Sequence, residues 1–115
     1  MLTVYGIPNC DTVKKAITWL KNHGIAYEFH DYKKKGIERK KLEEWLTQVP
    51  KETLVNRAGT TYKQLPDDRK NAINDNQSAI DLMLEKNSVI KRPIIESDKI
   101  VAIGFKEEEY QKIFG

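Results

Sequence analysis

Residues 2–23 read LTVYGIPNCDTVKKAITWLKNH, and the change of pattern inside this stretch decides the fold. Leu2, Val4 and Ile7 are apolar and largely β-branched, in a short run broken by Gly6 and Pro8, which marks a strand ending in a turn. Beyond Cys10 the spacing becomes helical. Val13, Ala16, Ile17 and Leu20 recur at helical intervals, with Asn9 as the expected N-cap, Asp11 in the first turn and Gly24 as the stop. The single cysteine of the chain therefore falls at a helix N-terminus. Backbone N–H groups without intrahelical partners, together with the helix dipole, stabilise an anion there.

A thiol so placed tends toward thiolate, because helix N-termini and cationic neighbours lower its ordinary pKa of about 8.5. Asp11 opposes this. At about 6 Å and an effective dielectric of about 40, one unit charge is worth roughly 1.4 kcal/mol, or about one pK unit, so Asp11 cancels about one cation. Most lone cysteines are small buried apolar side chains, and position alone leaves Cys10 balanced between that reading and a nucleophile.

Next along the chain, Ile25, Tyr27 and Phe29 alternate with Ala26, Glu28 and His30, predicting a strand over 25–32. A strand-helix-strand unit of this length favours parallel pairing with a right-handed crossover. Lys33, Lys34 and Lys35 then precede Gly36 in an expected loop. Helical spacing returns at Leu42, Trp45, Leu46 and Val49 and stops at Pro50, with a short helical piece over 51–55. Trp19 and Trp45 lie on apolar faces, as packing residues do. Two further helices are predicted over 67–73, after Pro66, and 77–84, with Asn76 as N-cap. Val89, Ile90, Ile94, Ile95, Ile100, Val101 and Ile103 predict a hairpin turning at Ser97-Asp98, and residues 106–114 a closing helix. The order is βαβ, helices, then ββα: an α/β, thioredoxin-like chain with a helical insertion between its second and third strands.

The 115 residues suit one domain spanning 1–115, long enough to bury a core without metals or disulfides. With 39% hydrophobic and 32% charged residues, the composition is that of a globular chain, and no apolar run reaches membrane-spanning length. No basic, apolar and small-residue sequence of a signal peptide opens the chain, so a cytoplasmic location and a reduced thiol are expected. The net charge of +3 is mild and its basic residues are interspersed with acidic ones, which argues against nucleic acid as a partner. His23 and His30 have no metal-ligand partner at suitable spacing, so no metal site is expected.

The segment YGIPNCDTVKKA resembles the active-site stretch of the arsenate reductase/Spx family, and most closely that of its YffB-type branch. FHDYKKKGI, LVNRAGTTYKQL, IKRPI and the late IGF resemble family landmarks in the expected order over nearly the whole chain. The resemblance implies the same thioredoxin-like fold and makes Cys10 the reactive thiol. It implies that Pro93 is cis and lies opposite Cys10, that Arg92 faces the thiol or its anionic ligand, and that Arg57 is a second anion-binding cation. Asn9, Asp11 and Thr12 then shape the turn around the thiol.

Two departures narrow the activity. Arsenate reductases proper carry a third arginine after the late hairpin, where this chain has Gly104-Phe105. Spx-type regulators that sense oxidation carry a second cysteine three residues after the first, where this chain has Val13. The expected function is a glutathione-dependent thiol oxidoreductase, with an anionic or disulfide substrate and no bound cofactor. Glutathione is the expected co-substrate and glutaredoxin an expected further partner, and the chain is expected to be a monomer. The alternatives are arsenate reduction and an Spx-like, non-catalytic regulator that contacts RNA polymerase.

Overall fold

Strand β1 (Leu2–Gly6) is an inner strand of a four-stranded sheet whose order is β2-β1-β3-β4. The computed structural model describes residues Met1–Gly115. β1 pairs in parallel with β2 (Tyr27–Asp31), with Leu2 opposite Tyr27 and Gly6 opposite Asp31. On its other side it pairs antiparallel with β3 (Ile94–Glu96), which pairs antiparallel with β4 (Ile100–Ile103). Helix α1 (Asp11–Asn22) makes the crossover from β1 to β2, and α8 (Glu107–Phe114) follows β4. This is the thioredoxin-like fold, with its helical insertion between β2 and β3.

The chain forms two compact units, one of Met1–Lys35 with Arg92–Gly115 and the other of Gly36–Lys91. In the first unit, Val4 and Ile95 of the sheet pack with Ala16, Trp19 and Leu20 of α1 and with Tyr110 of α8. Trp19 and Tyr110 meet edge to face, with centroids 5.5 Å apart. α1 is closed beyond its C-cap His23 by Gly24, whose φ of 66° makes a Schellman closure: Gly24 N–H donates to the Lys21 carbonyl and Ile25 N–H to that of Leu20. Ile25 is spent on this closure, so β2 begins at Tyr27 rather than at Ile25. The predicted loop at Lys33–Lys35 is instead the short helix α2 (Tyr32–Lys35), anchored by Tyr32, which is fully buried.

The second unit holds α3 (Arg39–Leu46), α4 (Lys51–Leu54), α5 (Thr60–Lys63), α6 (Asp67–Asn71) and α7 (Asn76–Glu85), then a 3-10 turn over Asn87–Val89. Its buried side chains include Leu42, Trp45, Leu54, Ile80 and Met83. α3 stops before Val49, with Thr47 as its C-cap, and α5 has no apolar periodicity that predicts it. The N-cap of α7 is Asp75 and not Asn76: its carboxylate accepts the Ser78 N–H at 2.8 Å while the Asp75 N–H donates to Ser78 Oγ, a capping box. Val89 and Ile90 do not join the hairpin. Ile90 instead forms an isolated antiparallel bridge with Val55, flanked by Asn56 N–H donating to the Val89 carbonyl and Lys91 N–H donating to that of Leu54.

Candidate functional site

The site is built where β1 ends. Pro8 and Asn9 form a turn, and the Cys10 carbonyl accepts the first helical hydrogen bond, from Lys14 N–H at 3.0 Å. With φ −99° and ψ 123°, Cys10 itself is therefore the N-cap of α1, the position that sequence assigned to Asn9. Gly6 lets α1 come this close to the strand end: a Cβ there would stand 2.8 Å from Val13 Cγ2, and Val13 is fully buried.

Cys10 is half-buried and free. Burial pushes its thiol up, but the Val13 N–H, the Arg92 guanidinium and the Thr12 N–H outweigh it and hold the pKa below the ordinary value. These donors and the guanidinium charge favour the anionic form of the sulfur. Arg92 contributes both as a donor and as a cation. Asn9, Asp11 and Thr12 are exposed around the thiol.

Arg92 precedes Pro93 through a cis peptide bond, and β3 starts at the next residue. Pro93 is buried, and its carbonyl accepts the Gly104 N–H at 2.8 Å. Gly104 has φ 78°, a left-handed conformation that L side chains rarely adopt. The Gly104 carbonyl accepts the Tyr110 hydroxyl at 2.7 Å. Gly104-Phe105 stands where arsenate reductases are expected to carry an arginine, and Gly104 has a structural part of its own. In the structure Gly104 ties the cis-proline segment to α8.

A buried polar group lies on the same sheet, and sequence reading missed it. Tyr5 on β1 donates from its hydroxyl to Glu96 Oε1 at 3.2 Å, and its ring stacks on Tyr32 at 6.2 Å and tilts against His30 at 4.8 Å. Burial pushes the Tyr32 hydroxyl far up; Tyr5 and Glu96 add to this, while Arg92 opposes it. Arg92 thus acts both on Cys10 and on this aromatic group. The signal available in sequence was the period-2 placement of Tyr5, which puts it on the sheet face opposite Val4.

Arg57 lies in the second unit, exposed in the turn between α4 and α5, and lines a small depression with Lys51, Glu52, Val55, Tyr62 and Ile73. No three His, Cys, Asp or Glu side chains are grouped to hold a metal ion.

The site thus joins a cysteine at a helix N-terminus to an arginine that precedes a cis-proline. The ArsC family model matches residues 5–113. This chain belongs to the ArsC family. Its structure is similar to that of the YffB protein, with TM-score 0.92, 44% identity and full coverage of both chains. It is also similar to an arsenate reductase (ArsC) related protein from Brucella melitensis, at 50% identity and TM-score 0.79, covering 98% of this chain and 93% of the other. Among sequence relatives, the global transcriptional regulator Spx of Streptococcus pyogenes is 30% identical, over 95% of this chain and 81% of its own length. The ArsC family relatives thus include a reductase-related protein and a regulator. No helix of the structure is long and apolar enough to cross a membrane.

Proposed function

We propose that this ArsC family member is a glutathione-dependent thiol oxidoreductase in which Cys10, as thiolate, attacks an electrophilic sulfur. The observation that carries this reading is the placement of Cys10 as N-cap of α1 under Val13 N–H, Thr12 N–H and Arg92. In the step, the thiolate displaces one sulfur of a disulfide: the old S–S bond breaks, a mixed disulfide forms at Cys10, and the departing thiolate takes a proton from water. With no second cysteine in the chain, an external thiol must restore Cys10, and glutathione or glutaredoxin in a reducing cytoplasm serves that role. Arg92 holds a carboxylate of the anionic thiol, and Pro93, Asn9, Asp11 and Thr12 shape its approach.

The 30% identity to Spx favours one other reading, a regulator that binds a partner without turnover. The experiment that separates them is intact mass spectrometry after oxidised glutathione. A one-to-one glutathione adduct in the wild type, absent in Cys10→Ser and released by reduced glutathione, is expected. An unmodified wild type, or equal labelling of the mutant, rejects the oxidoreductase reading.

A further inference from the structure

The sheet topology gathers positive charge at the edge that carries Cys10. β1 and β2 run parallel with Gly6 opposite Asp31, so the turn to Cys10 and helix α2 leave the sheet at the same end. β3 is antiparallel with Ile94 opposite Tyr5, which brings Arg92 to that end too. α2 carries Lys33, Lys34 and Lys35, and the first turns of α1 carry Lys14, all exposed. None of these lysine side chains is held in an ion pair. The carboxylates at this edge are Asp11 and Asp31, and an oxygen of Asp31 is engaged by the Lys33 backbone N–H at 2.8 Å. Lys15 points elsewhere along α1, to a depression shared with Trp19, Phe105 and Glu107.

Unpaired surface cations are normally solvated, and separately each contributes little. Gathered at the same end of the sheet as Cys10, they raise the local concentration of anions over a Debye length of ~8 Å at physiological ionic strength. Their side chains are exposed, so they favour charge rather than a particular geometry.

We propose that Lys14, Lys33, Lys34 and Lys35 form a cationic rim that makes Cys10 selective for disulfides bearing carboxylates over neutral or cationic ones. The proposal rests on the reading of Cys10 as the attacking thiolate. Exchange proceeds as described above, with the rim acting before bond exchange on the approach of the disulfide.

The test compares three disulfides: oxidised glutathione, which is net anionic, bis(2-hydroxyethyl) disulfide, which is neutral, and cystamine, which is cationic. Second-order rates of adduct formation are read by intact mass for the wild type and for a Lys33→Gln, Lys34→Gln, Lys35→Gln variant, each in low and ~1 M salt. The expected result is that the ratio of the glutathione rate to the neutral rate falls about tenfold in the variant and in high salt, while the cystamine-to-neutral ratio rises. The neutral probe reports that the variant is folded. Reaction with the neutral disulfide but ratios that neither the variant nor salt alters would overturn the rim and leave the oxidoreductase reading standing. Failure to react with all three would overturn both.

Discussion

Cys10 is set by opposing influences, and its chemistry turns on which of them is removed. Burial favours the thiol, whereas two backbone N–H groups and Arg92 favour the thiolate. Arg92→Gln removes a charge-assisted partner that favours the thiolate, so the Cys10 pKa should rise in the variant. The pH dependence of iodoacetamide alkylation should therefore show a wild-type midpoint below about 8.5 and a variant midpoint above the wild type's. A wild-type midpoint at or above the unperturbed value would refute activation by the site. The same depression links to stability. A thiol whose folded pKa lies below its unfolded one adds stability above the unfolded value and loses it as pH falls through the folded one. Local spacing alone puts Cys10 at a helix start, whereas a cis Pro93 and an Arg92 near the thiol follow only from the resemblance of IKRPI to a family segment. The grouping of Tyr5, Tyr32 and Glu96 was not legible, since it depends on β1 and β3 pairing across about ninety residues.

At the scale of elements, the ends were harder to read than the bodies. Asn9 and Asn76 are good capping types, yet the residue beside each one caps the helix, Cys10 in α1 and Asp75 in α7. For α1 the turn over Pro8-Asn9 uses the asparagine; for α7 the deciding feature is Ser78 at the third helical position, which completes the capping box. Val89 and Ile90 have strand-like side chains, but their backbone is committed to Val55 and Asn56, a pairing no local pattern announces. Two substitutions test these joints. Gly6→Ala forces a methyl against the buried, β-branched Val13, and should destabilise the protein by about 1 to 3 kcal/mol in urea denaturation. Asp75→Ala should lower the denaturation midpoint at neutral pH. The Ser78 N–H depresses the Asp75 carboxyl, so the cap acts above its unfolded pKa and fades as pH falls through the folded one. Wild type and variant should therefore converge in acid, and a difference that persists undiminished there would assign the effect to something other than the cap.

At the scale of the whole molecule, the proposed preference for disulfides over arsenate is tested at Gly104. An oxyanion needs several donors, and the turn after β4 offers a glycine engaged with Pro93 and Tyr110 where arsenate reductases proper place an arginine. Losing one charge-assisted donor of about 1.5 to 3 kcal/mol costs roughly ten- to hundredfold in capturing a dianion. In a glutathione- and glutaredoxin-coupled assay of NADPH consumption, turnover of a small mixed disulfide should exceed that of arsenate, and Cys10→Ser should abolish it. Arsenate turnover well above that of the disulfide would show that the missing arginine is dispensable. One further property follows from where the two tryptophans fall. Trp19 packs in the first unit, with its ring stacked at 3.8 Å on His23, and Trp45 is fully buried in the second. Each unit therefore carries its own fluorophore. Emission from Trp45→Phe follows the Gly6 joint, and emission from Trp19→Phe follows the Asp75 cap, so an optical melt can read the thiol-bearing sheet and the helical insertion as separate signals from one chain.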